Sequence, residues 1–397
     1  MSFGPNLYAW RKPLPPRQVR QVSLQCVSSS NGRNLLKSLN HIHRVVERRN
    51  TIPILSNALL TAEGATLEMK ATDLDLEMNE ATPARVEQAG STTVPAHLLY
   101  DIVRKLPDGA EVMLKVDDGG AAMSVISGRT SFRLQCLPAS DFPALSSGSY
   151  PHIFRLESTA LKGLIDKTQF AISTEETRYY LNGIYFHTHE SGGKLKLRAV
   201  ATDGHRLARA EMDAPAGSEG MAGIIIPRKT VSEMQKLLDD PDVAVTTEVS
   251  ESKIRFTIGP VILTSKLIDG TFPDYQRVIP ANNDKKLILD RQSFASAVDR
   301  VSTISSERGR AVKLSIAEGQ VTLAVNNPDS GSATEEVVAE YSSDPIEIGF
   351  NAKYLLDVAA QLGGTEARFL LADAGSPTLI QDAADEHTLY VLMPMRV

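Results

Sequence analysis

Long apolar runs are missing. No stretch approaches the roughly 18 uninterrupted hydrophobic residues of a membrane-spanning helix, so none is expected. Cysteine is nearly missing as well. Cys26 and Cys136 cannot make a disulfide framework or a four-ligand zinc site, and both are expected as reduced thiols of a cytoplasmic protein. The glycine loops that cradle phosphates or dinucleotides do not occur, nor do G-x-S-x-G or H-E-x-x-H. No cofactor is implied. Neither sign of charge dominates: 42 Lys and Arg stand against 48 Asp and Glu, a net of −6 over 397 residues. The whole chain therefore advertises no nucleic-acid partner. What remains is an ordinary globular composition, 42% hydrophobic and 23% charged, long enough for two or three domains.

Residues 1–22 differ from the rest. They hold Arg11, Lys12, Arg17 and Arg20 with no acid, plus Pro5, Pro13, Pro15 and Pro16. Only Leu7–Trp10 resembles a signal-peptide core, and the prolines oppose a presequence helix, so a disordered extension is expected.

Repetition organises the remainder. Ala71-Thr72-Asp73 recurs 130 residues later as Ala201-Thr202-Asp203, and Phe142-Pro143 recurs as Phe272-Pro273 at the same offset. Val94-Pro95 before HLLYDIVRKL is echoed by Ile226-Pro227 before RKTVSEMQKLL, and by Gly349-Phe350-Asn351 before AKYLLDVAAQL. Each unit also opens with an amphipathic helix, from Leu35, Ala160 and Ser293. Alternating segments such as 194–200, 253–258 and 261–267 read as strands, separated by turn signals. The fold class is α+β: a chain of three similar domains over 23–150, 151–281 and 282–397.

Charge is unevenly placed within these units. The spans 34–48, 96–106, 159–171, 228–238, 292–303 and 352–362 are expected helices, with twelve basic residues against six acids. A basic face in an acidic chain, with few aromatics interleaved, suits a phosphate backbone and not base edges. Candidate chemistry is thin. Asp203 and His205 could form a general-base pair, but Asp-Gly is a common turn and no partner motif accompanies it. His187-x-His189 places two imidazoles on one strand face with no third ligand nearby, so a surface pair is expected. Asp73-x-Asp75 lacks the continuation of a calcium loop. The terminal 391–397 segment carries Met393 and Met395, suited either to an adaptable groove or to a core.

The motifs RRNTIPILSN (48–57), RYYLNG (178–183), ATDGHRL (201–207), FPDYQRVIP (272–280), GFNAKYLLD (349–357) and MPMR (393–396) resemble the bacterial DNA polymerase III β subunit family, the sliding clamps. The resemblance runs from about Leu24 to Val397. It implies three equivalent clamp domains per chain and a head-to-tail homodimer closed into a ring, with helices inside and antiparallel sheets outside. It also implies a non-catalytic processivity factor that encircles double-stranded DNA regardless of sequence. The implied partners are the polymerase α subunit, the clamp loader and other replication or repair proteins bearing clamp-binding peptides. By motif, the peptide pocket falls on Tyr180, Leu181, Thr202, Gly204, His205, Arg206, Leu207, Pro273, Arg277 and Val278. Its other wall falls on Asn351, Tyr354, Leu392, Met393, Pro394, Met395 and Arg396. Pro377 stands where the family can carry a small polar residue. DNA contacts fall on Arg49, Arg104, Tyr179 and Lys229, and His97 stands where other members can have Arg. The ring seam falls on Phe132 and Leu134 of one chain against Thr303 and Ile304 of the other.

Two other functions fit the residues less well: a monomeric peptide-binding scaffold of this fold that never encircles DNA, and a hydrolase using Asp203 and His205. Within the leading reading, Thr303 is more polar than a hydrophobic seam prefers, which predicts a weakened dimer. Light scattering along a dilution series should then reveal monomer at low nanomolar concentration; a dimer that persists there removes the expectation.

Overall fold

The computed structural model describes residues 25–27, 31–145, 148–306 and 310–396. The expected extension at 1–22 lies outside them. Six α-helices are described: α1 Asn31–Val45, α2 Ala96–Val103, α3 Ser158–Asp166, α4 Arg228–Leu237, α5 Arg291–Ser302 and α6 Ala352–Ala359. Each falls on an expected span, but all six stop earlier. α3 ends at Asp166 because buried Thr168 turns its hydroxyl back onto the Leu164 carbonyl at 2.6 Å, and residues 169–171 form a separate 3-10 turn. Arg48 and Arg49 fall after α1, and Arg104 is the C-cap of α2. The helices themselves therefore hold ten basic residues and five acids. Their starts follow capping chemistry. The Asp290 carboxylate accepts the Ser293 N–H ahead of α5, and the Asn351 side chain accepts the Lys353 N–H ahead of α6. Pro95 and Pro227 precede α2 and α4.

The described residues divide into two compact units, those up to 71 with 81–142, and 72–80 with those from 143 on. In the first, one sheet runs in the order Arg85–Gln88, Gln25–Val27, Met113–Val116, Ala122–Ser127, Thr130–Gln135. The strand Asn57–Glu63 pairs on either side with Thr66–Thr72 and Gly90–Pro95. Leu35, Leu39 and Ile42 of α1 and Leu99 of α2 are buried with Leu60 and Met69 of this layer. Alternation of burial along 57–63 and 66–72 is what a half-buried sheet requires.

The second unit holds a twelve-stranded sheet, antiparallel throughout, that runs from Ile224–Pro227 at one edge to Ile346–Asn351 at the other. Its centre joins the second and third repeats, because Arg206–Asp213 pairs with Asp385–Leu392 in a register that sets Arg206 opposite Leu392. A further layer holds His152–Glu157, Ala244–Val249, Lys253–Ile258 and Val261–Lys266, the last paired with 76–80. The core centres on Phe186, Phe256, Phe294, Phe350 and Tyr390, with Phe294 and Phe369 edge to face at 5.3 Å.

The repeated tripeptide proves to be a repeated turn. Thr72 Oγ1 accepts the Leu74 N–H while Asp73 Oδ1 accepts those of Asp75 and Leu76; Thr202 Oγ1 accepts from Gly204 while Asp203 Oδ1 accepts from His205 and Arg206. The third unit keeps the same bond with an amide, Asn327 Oδ1 accepting from Asp329. The first two copies take positive φ at the residue after the acid: Gly204 supplies it at 89°, and Leu74 adopts 79° against its preference, whereas the third copy has Pro328 there.

A second tie between the later repeats is Lys167 Nζ on Asp385 Oδ2 at 2.6 Å. Burial alone would raise the Asp385 carboxyl, but the Lys167 ammonium, the Thr388 hydroxyl and the His387 N–H together pull it down to about 2. A depressed carboxylate contributes stability that is complete above its unfolded value and fades as pH falls toward the folded one. Asp385→Asn should therefore cost on the order of 1–2 kcal/mol at neutral pH. Urea unfolding of the two proteins should converge as the pH drops from about 4 to about 2.

Candidate functional site

The residues with the densest sequence signal come together in the second unit. The Thr202–Leu207 turn brings Leu207 into a buried apolar cluster with Leu181, Val200, Phe272, Tyr275 and Val391, and Tyr180 packs against its side. Val278 and Met393 stay exposed above it, at 48% and 40%. The terminal segment is stitched down at two points, Met393 N–H to the His205 carbonyl at 2.9 Å and Met395 N–H to the Gly349 carbonyl at 2.8 Å. Leu392 is buried, Pro394 and Met395 are half-buried, and Arg396 is exposed. Pro273 is exposed, and so is Arg277, which pairs with Asp274.

Arg206 does something the sequence did not suggest. Its side chain is only 8% exposed, and its guanidinium is fully engaged. Nε bonds Asp203 Oδ2 at 3.0 Å, Nη1 bonds Asp357 Oδ2 on α6 at 2.6 Å, and Nη2 bonds the Phe170 carbonyl at 2.5 Å. The cation also lies 4.3 Å from the Tyr354 ring centre. Arg206 is thus a joint between repeats, holding the Tyr354 wall against the Thr202–Leu207 turn. Asn351 likewise uses its side chain to cap α6. Gly204 suits its place through its φ of 89°, where a side chain would be strained; a Cβ would also meet an Arg178 nitrogen at 2.5 Å, the movable end of a flexible side chain.

The same bonds remove the hydrolase reading. Both Asp203 oxygens are committed to the turn and to Arg206, so the carboxylate does not address the exposed His205 ring. The expected surface pair at His187-x-His189 is also corrected. His187 is buried, its Nδ1–H facing the Thr188 carbonyl and its Nε2 facing the Tyr275 hydroxyl at 3.1 Å. Burial holds this imidazole at about 4, neutral at ordinary pH. Arg198 completes the set, bonding Tyr275 Oη at 3.3 Å and Glu211 at 2.6 Å. This buried network anchors the loop bearing Phe272, Pro273 and Val278. The only sequence signal for it was Tyr275, two residues after the repeated Phe-Pro pair. Asp73 and Asp75 hold Lys229 and Lys266. No cluster of three metal-ligating side chains occurs among the described residues.

The candidate DNA contacts separate by unit. Arg49 is exposed, and Arg104 pairs with Asp101. Tyr179 and Lys229 come together, lining one open cavity of about 620 Å³ with Asn182, Arg228, Ser232 and Thr174. Arg228, the exposed residue before Lys229 on α4, is a cation that the family motifs do not mark. His97 Nε2 faces the Val46 carbonyl at 2.9 Å, its ring edge-on to His43. At the candidate seam, Phe132 is exposed on the edge strand Thr130–Gln135, whereas Leu134 is only 5% exposed and belongs to its own sheet's core. Thr303 is exposed with its hydroxyl on the Asp299 carbonyl, and Ile304 is half-buried. The Pro377 carbonyl accepts a bond from Asn283.

Family models for the DNA polymerase III beta subunit match end to end: the N-terminal domain over residues 29–146, the central domain over 155–274 and the C-terminal domain over 276–396. This chain belongs to the DNA polymerase III beta subunit family. The beta sliding clamp of Caulobacter vibrioides is 54% identical over 363 residues, covering 91% of this chain and 98% of that protein. That of Escherichia coli is 41% identical over 367 residues, covering 92% and 98%. Among solved structures, a DnaN sliding clamp from Bartonella birtlesii bound to griselimycin superposes with a TM-score of 0.92 at 59% identity, covering 94% of this chain and all of that one. Beta subunits are non-catalytic processivity factors, which agrees with an Asp203 committed to structure.

Removing the Arg206 guanidinium leaves Asp203 and Asp357 without their cation. Arg206→Met should cost about 3 kcal/mol in urea unfolding. A loss under about 1 kcal/mol, the size of an exposed ion pair, would show that the joint is not a structural one.

Proposed function

We infer that this chain is a bacterial DNA sliding clamp that closes as a head-to-tail homodimer around duplex DNA and tethers the replicative polymerase. The observation that carries this inference is the continuous match of all three domains, supported by the packing of Leu181, Leu207, Phe272 and Val391 into one apolar cluster. Clamp domains over 23–150, 151–281 and 282–397 are part of the reading. So is a cytoplasmic location, with no helix among the described residues long and apolar enough to cross a membrane.

The groove suits a short extended peptide. A buried apolar floor at Leu181, Leu207 and Val391 lies under exposed Val278 and Met393, with Tyr180 and Tyr354 half-buried at the sides. Apolar pockets with a few orienting polar groups favour peptides carrying Leu or Phe anchors and a Gln. The polymerase α subunit, the clamp loader and repair proteins would compete for it. The DNA task differs in kind. Exposed Arg49 and Tyr179, with Arg104, Arg228 and Lys229, offer contacts to phosphates and none to base edges, and such contacts permit sliding. At the seam, Phe132 on an open strand edge would meet Thr303 and Ile304 of a second copy.

Topology is the direct test. With a matching clamp loader and ATP, the protein is loaded on a nicked circular plasmid, washed in high salt, and the circle is then cut. Retention through the wash followed by release on cutting is expected. Loss during the wash, with an active loader, would mean ordinary electrostatic binding and favour the monomeric scaffold.

A further inference from the structure

Lys229 should be one of the residues that grip the phosphate backbone, yet its ammonium is already occupied. Nζ lies 2.6 Å from Asp73 Oδ2, and the two side chains are 33% and 14% exposed. Both belong to the same compact unit. The carboxylate cannot swing away, because its other oxygen holds the N–H groups of Asp75 and Leu76 at 3.0 and 2.7 Å. A carboxylate so fixed, and mostly out of water, is a strong charge-assisted acceptor in the position a phosphate oxygen would need to take. Arg228, the preceding residue, lines the same cavity and has no acid partner among the described residues. Two adjacent cations at the start of α4 thus differ in availability.

We propose that Asp73 is a built-in competitor for phosphate: it restrains Lys229 on the protein and thereby weakens the clamp's contact with DNA. The inference rests on the DNA-enclosing reading and deepens it. A phosphate reaching Lys229 must displace a carboxylate that is already fixed, so contact at this position is transient. A ring that holds DNA by enclosure gains nothing from tight contact, and loses mobility with every phosphate it neutralises.

The test uses the full-length protein and a labelled linear duplex, with binding followed by fluorescence anisotropy across a salt series. Asp73→Asn keeps an oxygen that can accept both turn N–H groups and removes only the charge. It should bind roughly 3–10-fold more tightly at low salt, and its log K against log salt slope should steepen by about 0.9, the value for one added phosphate contact. Asp75→Asn makes the same change in net charge two residues away, where the partner is Lys266; it should shift binding less than about 2-fold. In Asp73→Asn combined with Lys229→Met, the gain should vanish. Asp73→Ser, whose hydroxyl can make a similar turn, replaces Asp73→Asn if thermal melting shows the latter unfolded.

The proposal is overturned if Asp73→Asn binds no tighter than Asp75→Asn, if the slope does not change, or if the gain survives loss of Lys229. The topological assay separates the two levels. A native protein that fails retention on circular DNA removes the clamp reading itself, whereas retention with an unchanged Asp73→Asn removes this inference alone.

Discussion

The guanidinium of Arg206 lies between two repeats with each of its three nitrogens bonded. Asp203 holds it from its own turn, Asp357 from α6, and the Phe170 carbonyl from the segment after α3. A buried cation tolerates this position only because its partners converge there, and they converge only when both repeats are folded and adjoined. The strand pairing of Arg206–Asp213 with Asp385–Leu392 follows the same line, and the terminal residues are then bonded to His205 and Gly349. This joint fixes Tyr354 against the Thr202–Leu207 turn, the residues of the candidate groove.

The Asx-type turn that carries Arg206 appears in all three repeats, and each uses its polar side chain differently. In the first copy, the free oxygen of Asp73 reaches Lys229 on α4. In the second, Asp203 holds Arg206, which extends the connection to α6. In the third, Asn327 replaces the carboxylate, and its amide donates to the Ile304 carbonyl at 2.8 Å, beside the candidate seam. One local solution to the need for a tight strand connection therefore has three tertiary outcomes. The difference lies in whether the residue at that position is an acid or an amide, and in what the next element presents to it.

A second polar group is buried around Tyr275. Arg198 and Glu211 face each other across paired strands, with side chains 6% and 9% exposed, and the Tyr275 hydroxyl bridges Arg198 and His187. Neutral His187 adds no charge to this region, since burial keeps it from taking a proton. His187, Arg198, Glu211 and Tyr275 each find a partner in this network, which adds rigidity to the loop that carries Pro273 and Val278.

Local information wrote much of this protein. Periodicity and capping residues place six helices near their observed positions, and the repeats at a spacing of about 130 residues disclose triplication. The motif segments point to the candidate groove because short runs such as ATDGHRL bring several of its residues along one turn. Where those side chains go was not legible. Arg206 reads as a groove cation and is a buried joint, His187 reads as a surface residue and is buried, and Lys229 reads as a free cation and is paired with an acid 156 residues away. Helix ends, too, were set by side chains such as Thr168 folding back onto a carbonyl. The physical reason is the same in each case. Propensity and period act over a few residues, so sequence determines elements and their repetition. The partner of a charge is decided by long-range contacts that exist only once the chain is folded.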